Sequence, residues 1–492
     1  MYRAIVLCCV LASSAALAQE SSHPYLDAAV QDANYLATLE RPQAHGIAWP
    51  AWDGTGAYIT TGVDSGAAGI GLFHLRLYEV TGDASYLSKA RQAADYVYGE
   101  YKAGRNPGYD WLGGVASGGE FFLALYAETR DSVLLEEAVW AGDWLVSNAR
   151  TDSFGYHWEF TTTPNVYTGL AHGAGGVALF LSRLYQQTGN SVYLQTAEGA
   201  IRWMRQFIVP LGESAIGWER LTTDTASYNG WCGGSAGVYF ILKKLWEVTN
   251  NPEYRDLMLA TARGLVAGAQ WACPGGGAYD SSTGCPGGAP PLAAWAYNTP
   301  ASGSYPVIVC HGVSSMVFVL FDAYALTGDP VFRDTAQAGV RWLRAIAQNK
   351  PQGQRWEHIY GSGLIESGFL TGAASMGHAF LKMARLDRPA KRVSAERKMR
   401  RPTSGDTDYL TEAKAAGDYL LSIADHPRPE VARWITYLDA PQWVLNDPVD
   451  FPIRYETGWY TGASGIGIFL LDLHDALHGV VPAADQLSHL SP

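Results

Sequence analysis

The chain has 492 residues, of which 48% are hydrophobic and 17% charged, so it can form a substantial core and lacks the composition of a disordered protein. The formal net charge is -12, and no basic segment approaches the footprint of a nucleic-acid-binding protein. Nucleic acid is therefore excluded as a partner. The length allows either several domains or one large repeat architecture.

The N-terminus has the pattern of a signal peptide. Arg3 supplies the positive charge, residues 4–17 form a short apolar run, and Ala16-Leu17-Ala18 suits a cleavage site. We expect residues 1–18 to be removed and residues 19–492 to form a single domain that is exported to the periplasm or outside the cell. No later apolar run is long enough for a membrane span, so none is expected in the mature chain.

Export makes disulfides possible among the four cysteines that would remain. Cys273 and Cys285 flank a glycine-rich loop, which predicts a local disulfide between them. Cys232 and Cys310 could pair with each other or bind a metal ion. The sequence alone does not decide between these two possibilities.

One structural unit recurs seven times along the chain. Each copy has two small residues three positions apart, then an apolar helix, and several copies continue with a turn and an amphipathic helix. The pairs are Gly66 and Gly69, Gly114 and Ser117, Gly173 and Gly176, Gly234 and Gly237, Gly312 and Ser315, Gly372 and Ser375, and Gly462 and Gly465. The pattern predicts an all-α fold, a seven-repeat α/α toroid with inner and outer rings of helices. A linear solenoid is the alternative, but its last unit would need a polar cap, which this sequence lacks.

The longest spacings between units predict surface insertions near residues 265–300 and 388–408. Four aromatic-acidic pairs precede the repeats and are interpreted as short hairpins at one end of the ring, where the aromatic residues pack or line a mouth. These pairs are Trp158-Glu159, Trp218-Glu219, Trp356-Glu357 and Tyr455-Glu456.

In such a ring, side chains just ahead of the small-residue pair should point into the central cavity. Cys232 and Cys310 each lie two residues before the first glycine of neighbouring units, and His311 lies one residue before its glycine. Two cysteines and one histidine are the ligand set of a zinc site that keeps one coordination position open. The residues therefore predict a zinc site that can activate a substrate thiol.

Two further residues fall on the same end of the ring. His172 directly precedes Gly173 and is placed to move protons, and Asp110 precedes Gly114 by four and can orient it or balance its charge. The simpler alternatives are a structural histidine at a helix start and a local cap made by Asp110.

These motifs together resemble the lanthionine cyclase (LanC-like) family. They are Ala171-His172-Gly173, Trp231-Cys232-Gly233-Gly234, Cys310-His311-Gly312 and the segment at residues 368–374. The resemblance implies an α/α toroid with zinc bound by Cys232, Cys310 and His311. It places His172 and Asp110 at the family's proton-transfer positions. The implied reaction adds a zinc-bound thiol to a dehydroamino acid and forms a thioether, with peptides or small molecules as the thiol and electrophile partners.

Two other functions compete with this interpretation. An exported carbohydrate-processing enzyme would need two opposed carboxylates, for which Glu159, Glu219, Glu357 and Glu456 are candidates. A non-catalytic, zinc-stabilised scaffold that binds peptides would need only the metal ligands.

Overall fold

The computed structural model describes residues 22–54, 56–105, 108–159, 166–301, 303–386, 408–439 and 454–480. The predicted signal peptide lies outside the described residues, as does all but the last residue of the predicted insertion at 388–408. The first insertion is described. It contains a hairpin and the disulfide Cys273–Cys285, which confirms that predicted pairing.

The helices of the described residues form two concentric rings. The inner ring consists of α2 (Ala67–Thr81), α4 (Val115–Thr129), α6 (Ala174–Thr188), α8 (Ser235–Thr249), α10 (Val313–Thr327), α12 (Ala373–Leu386) and α14 (Ala463–Leu477). The outer ring consists of α1 (Pro24–Leu39), α3 (Ala84–Lys102), α5 (Ser132–Ser147), α7 (Ser191–Met204), α9 (Pro252–Gly268), α11 (Pro330–Ala345) and α13 (Tyr409–Ile423). The first glycine of each predicted pair directly precedes an inner helix, as the repeat pattern requires.

Six inner helices pack against the outer helix that follows them in sequence, and α14 packs against α1 from the other end of the chain. Five of the outer helices begin at Asp or Asn side chains that cap them, as the turn residues predict. Asp83, Asp131, Asn190, Asn251 and Asp329 each accept a hydrogen bond from the backbone N–H two residues later.

The inner ring closes on itself through contacts between α14 and α2. At this junction Gly467 faces the ring of Phe73, so closely that a Cβ atom at residue 467 would lie 2.4 Å from Phe73 Cε2. The same fit recurs between Gly71 and Phe121 in the next pair of inner helices, where the distance would be 2.2 Å. The predicted toroid is confirmed, and the linear solenoid is excluded.

A second closed circle lies at the N-terminal ends of the inner helices and is made by the main chain. It joins the seven residues that lie two positions before the first glycine of each unit, and we call it the hub. Each N–H donates to the carbonyl oxygen of the next: Asp64 to Leu112 (3.2 Å), Leu112 to Ala171 (3.2 Å), Ala171 to Cys232 (2.6 Å), Cys232 to Cys310 (2.9 Å), Cys310 to Leu370 (3.3 Å), Leu370 to Tyr460 (3.0 Å) and Tyr460 to Asp64 (2.9 Å).

Short antiparallel strands connect outer helices to the next inner helices at this same end. Their bounds are β1 (Arg41–Gln43), β2 (Gly46–Ala48), β3 (Arg150–Thr151), β4 (Tyr156–His157), β5 (Ile208–Gly212), β6 (Ala215–Trp218), β7 (Ser227–Tyr228), β8 (Gln270–Ala272), β9 (Leu292–Ala294), β10 (Asn298–Thr299), β11 (Gln348–Lys350), β12 (Gly353–Arg355), β13 (Ile365–Glu366), β14 (Asp425–Arg428), β15 (Val431–Arg433) and β16 (Tyr437–Asp439). One sheet has four strands in the order β10-β7-β6-β5, and the others are two-stranded.

The tryptophans of three predicted hairpins are buried and fasten the hairpins to outer helices. The indole N–H of Trp158 donates to the carbonyl of Leu145 at 2.9 Å, and that of Trp356 donates to Leu343 at 2.9 Å. Trp218 donates to the Thr261 hydroxyl at 2.9 Å. These rings therefore pack and do not line a mouth. The fourth predicted hairpin is not found among the described residues, which end at residue 439 and resume at 454, and Glu456 instead forms an isolated bridge with Trp52.

Among these described residues, no helix has both the length and the apolar character needed to cross a membrane.

Candidate active site at the hub

The circle of main-chain hydrogen bonds places Cys232 and Cys310 side by side. Their Cα atoms are 5.2 Å apart, and the structure joins their sulfur atoms in a disulfide. The sequence had left open whether these two cysteines pair with each other or bind a metal ion, and the structure has them paired. A disulfide sulfur is not a thiolate, so this form of the pair cannot hold zinc, and metal binding requires the reduced cysteines.

The donor set would fit a zinc ion once the cysteines are reduced. One possible ligand atom from each of Cys232, Cys310 and His311 lies within 4.8 Å of the others, and His311 Nε2 is 3.3 Å from Cys310 Sγ. The hydroxyl of Tyr460 donates to Cys310 Sγ at 2.9 Å, a contact that would also stabilise a thiolate. Zinc itself remains a prediction.

The electrostatic environment keeps the imidazole of His311 neutral. Burial, together with the positive charges of His358, Arg220 and His172, lowers the pKa of His311 to about 3. A neutral imidazole offers a lone pair to a metal ion, whereas a protonated one does not.

The structure brings the other two predicted residues together as a pair. His172 Nδ1 lies 2.5 Å from Asp110 Oδ2, and Asp110 Oδ1 accepts a hydrogen bond from the backbone N–H of Gly113 at 2.9 Å. Asp110 therefore orients His172 and also makes the local contact expected of a cap. The Asp110 side chain is buried, while that of His172 is 45% exposed and so remains accessible to a substrate.

The charge of Asp110 controls the protonation of His172. Burial by itself lowers the pKa of His172, but the hydrogen bond and charge of Asp110, with the charge of Asp64, outweigh burial and raise it. The Nδ1–H of His172 then points to the carboxylate of Asp110, which fixes the orientation of the imidazole ring.

Two hub residues were missed in the sequence although they share the offset of the cysteines. Asp64 and Tyr460 each lie two positions before the first glycine of their unit. Burial, with a contribution from the charge of Asp110, raises the pKa of Asp64 to about 6. The positional rule that identified Cys232 and Cys310 would have identified both residues, had it been applied to every unit.

A second histidine–carboxylate pair was also missed. His358 Nδ1 hydrogen-bonds to the buried carboxylate of Glu366, and this contact raises the pKa of His358 against the lowering effect of burial. The sequence had drawn attention to Glu357 instead. That carboxylate accepts a hydrogen bond from the backbone N–H of Gly361 at 2.5 Å and so stabilises its own turn.

A cation lies beside the cysteine pair because residue 233 is a glycine. A Cβ atom there would lie 2.7 Å from Cγ of Arg220, whose guanidinium is 5.1 Å from the centre of the Tyr228 ring. Gly233 thus leaves room for Arg220 next to Cys232, and the hub gains a positive charge that can attract an anionic group of a substrate.

The carboxylates suggested for sugar chemistry have local partners. Glu159 lies 3.2 Å from His157 Nε2, and Glu456 lies 3.2 Å from Arg454 Nε. Because these contacts belong to separate loops, the geometry favours the hub over the carboxylates as the candidate site.

A family model matches part of this chain. Residues 99–267 match the family model described as lanthionine synthetase C-like protein. This segment contains Asp110, His172 and Cys232. No curated protein matches the chain.

Several solved structures are similar to this chain. Nisin cyclase is 16% identical, with a TM-score of 0.46 over 73% of this chain and 81% of its own. A sugar epimerase from a ruminal bacterium is 12% identical, with a TM-score of 0.45 over 69% and 90%. The alpha-1,6-mannanase GH76A from Salegentibacter sp. HEL1_6 is 17% identical, with a TM-score of 0.40 over 65% and 87%.

Identities and TM-scores at this level do not distinguish one activity from another, and they add nothing to the geometry of the hub. The family match rests on a continuous segment of sequence that includes three of the predicted site residues. The resemblance of this chain to the lanthionine synthetase C-like family is thereby confirmed, with residues 99–267 carrying the match.

Proposed function

We propose that this protein is a LanC-like thiol-addition enzyme whose reduced hub binds one zinc ion through Cys232, Cys310 and His311. One observation carries the proposal: three possible ligands from two neighbouring units meet on the same hydrogen-bonded circle that holds the His172–Asp110 pair nearby. The family match over residues 99–267 supports the same reaction class.

Zinc at this position would lower the pKa of a substrate thiol and hold it as a thiolate. When the thiolate sulfur adds to the β-carbon of a dehydroamino acid, a C–S bond forms, the C=C π bond breaks, and negative charge moves towards the α-carbon and its carbonyl. We assign the stabilisation of that charge to Arg220, which packs against Gly233. Protonated His172 then supplies the proton that the α-carbon needs, and the product is a thioether.

Asp110 makes His172 suitable for this step. Its hydrogen bond orients the imidazole, and its charge favours the protonated form that donates. We further propose that the substrate is a peptide or small molecule outside the cytoplasm, since the sequence predicts an export signal. In that environment the hub works only while its cysteines remain reduced or zinc-bound, because the disulfide removes both thiolates.

The test uses residues 19–492, purified with zinc and reductant and incubated with a dehydroalanine-containing peptide and glutathione. The wild-type protein should form the thioether adduct, detected by mass spectrometry. The Cys310→Ala variant should lose at least about 100-fold in rate, because it loses a metal ligand worth several kcal/mol of activation.

Cys273→Ala is the matched control, since it removes a cysteine of the insertion that pairs with Cys285 and not with a hub residue, and it should retain the rate. Thioether formation that survives in Cys310→Ala would refute the proposal. Zinc binding that depends on Cys310 without any adduct would favour the non-catalytic scaffold.

A further inference from the structure

Three histidines meet at the junction of the two ends of the chain, away from the hub. The ring centres of His23, His474 and His478 lie 5.2 Å, 5.0 Å and 4.3 Å from one another. One imidazole nitrogen from each residue lies within 4.8 Å of the other two. We call this group the histidine triad.

The positions of the triad follow from the ring closure. His23 is the N-cap residue of α1, the outer helix that packs against the last inner helix. His474 lies in the last turn of α14, and His478 is its C-cap residue. Histidines four residues apart share one face of a helix, which is a spacing that chelates metal ions. The packing of α1 against α14 adds the third imidazole.

The hydrogen bonding prepares these imidazoles for a metal ion. Nδ1 of His478 lies 2.8 Å from the carbonyl oxygen of His474, so its N–H donates there and its Nε2 lone pair is available. Nδ1 of His474 is buried and has no hydrogen-bond partner among the described residues. A buried imidazole nitrogen normally has a hydrogen-bond partner. A bound metal ion would take that place by accepting the lone pair of the nitrogen, and the ring would stay neutral.

The surroundings favour a cation at this point. The C-terminus of α14 carries the negative end of the helix dipole. Asp475 does not serve as a ligand, because it pairs with Arg76 Nη2 at 2.5 Å. The donor set is therefore imidazole, which selects zinc, nickel or copper over calcium or magnesium.

We propose that His23, His474 and His478 bind one divalent transition-metal ion of the zinc type, which joins α1 to α14 at the seam of the ring. Because its ligands come from opposite ends of the chain, the ion binds the closed toroid far better than the unfolded chain. Binding therefore stabilises ring closure. This site is independent of the hub and of any activity there.

The test is a zinc titration of residues 19–492, purified without a polyhistidine tag and kept under non-reducing conditions so that the hub cysteines remain paired. Calorimetry should show one zinc equivalent per chain, and zinc should raise the thermal unfolding temperature. The His23→Ala and His478→Ala variants should each bind this equivalent at least about tenfold more weakly and lose the zinc-dependent rise.

Both of these histidines are exposed, so the variants should fold, which circular dichroism checks. His45→Ala is the matched control, because it removes an exposed histidine outside both clusters and should bind zinc like the wild type. Any equivalent that Cys310→Ala abolishes belongs to the hub and is subtracted. Equal zinc affinity in all of the histidine variants, or no hub-independent zinc in the wild type, would overturn the proposal.

Discussion

At the scale of single residues, the chemistry of the hub depends on which side chain each unit places two positions before its first glycine. The main-chain circle fixes the backbone at all seven positions, so the side chain alone differs from unit to unit. Three of these positions carry Leu112, Ala171 and Leu370, which are apolar. The others carry groups that can bind or exchange protons, namely Asp64, Cys232, Cys310 and Tyr460.

The His172–Asp110 pair gives a prediction at this scale. In the Asp110→Asn variant the negative charge that raises the pKa of His172 is gone, while the burial that lowers it remains. The pKa of His172 should fall by about one unit or more, because that is the usual effect of a carboxylate in contact. An NMR titration of the His172 ring protons measures this shift directly, without relying on activity.

The sign of the change has a kinetic consequence. With a lower pKa, less His172 is protonated at neutral pH, so the pH limb of thiol addition should move towards acid. Asp256→Asn removes an exposed carboxylate of α9 and serves as the control. It should leave the pKa of His172 unchanged. An unchanged pKa in Asp110→Asn would show that the pair does not set the protonation of His172.

The sequence could identify these residues only through their offset from the glycines. It located Cys232, Cys310, His311 and His172 because the offset combines with unusual residue types. It did not reveal His358 and Glu366, whose pairing depends on the path of the segment between α11 and α12. It could not choose between a disulfide and a zinc site, since both require two sulfur atoms in close approach.

At the scale of helices, the seam between the last and first inner helices is held by a buried ionic cluster. Arg76 of α2 lies 3.0 Å from Asp472 and 2.5 Å from Asp475, both on α14, and 3.1 Å from Glu79. The Arg76 side chain is 7% exposed, and that of Asp472 is 1% exposed. Burial lowers the pKa of Arg76, but the surrounding carboxylates raise it further than burial lowers it, so the guanidinium stays charged.

Loss of the Arg76 guanidinium should destabilise the contact between α2 and α14. The Arg76→Met variant keeps much of the side-chain volume but leaves buried carboxylates on α14 without their partner. The free energy of unfolding should fall by about 3–5 kcal/mol, the usual result of breaking a buried ion pair from one side. Urea denaturation followed by circular dichroism measures the change.

Arg205→Met is the matched control, because Arg205 pairs with Glu253 at 2.6 Å while 40% of its side chain and 51% of that of Glu253 are exposed. Its cost should be below about 1 kcal/mol. Equal costs for the two variants would mean that the seam is not held by the Arg76 cluster.

The helices themselves could be predicted well wherever the repeat pattern applied. All seven inner helices begin directly after the first glycine of each predicted pair. A glycine is needed there because its backbone lies against the backbone of the preceding loop, where a Cβ atom would not fit. The repeat pattern could not predict which segment of the chain forms the seventh outer helix. Residues 24–39 contain no glycine pair, and only the closure of the ring shows that α1 completes the unit of α14.

At the scale of the whole molecule, two closed circles bring distant parts of the sequence together. The inner helices close through α14 and α2, and the hub closes through the bond from Tyr460 to Asp64. Closure joins Tyr460 to Asp64 at the hub and brings His23 to His474 at the seam, whereas Cys232 and Cys310 meet because their units are consecutive. The histidine triad therefore depends on a closed ring, and the hub site depends on the packing of two consecutive units.

The most direct test of the central claim is zinc analysis combined with a free-thiol count, on reduced and on oxidised protein, for the wild type and Cys310→Ala. The reduced wild type should hold one zinc ion that Cys310→Ala lacks, and it should release that ion as the thiols of Cys232 and Cys310 disappear on oxidation. A reduced Cys232–Cys310 pair that holds no zinc, or a zinc content that does not depend on Cys310, would contradict the account.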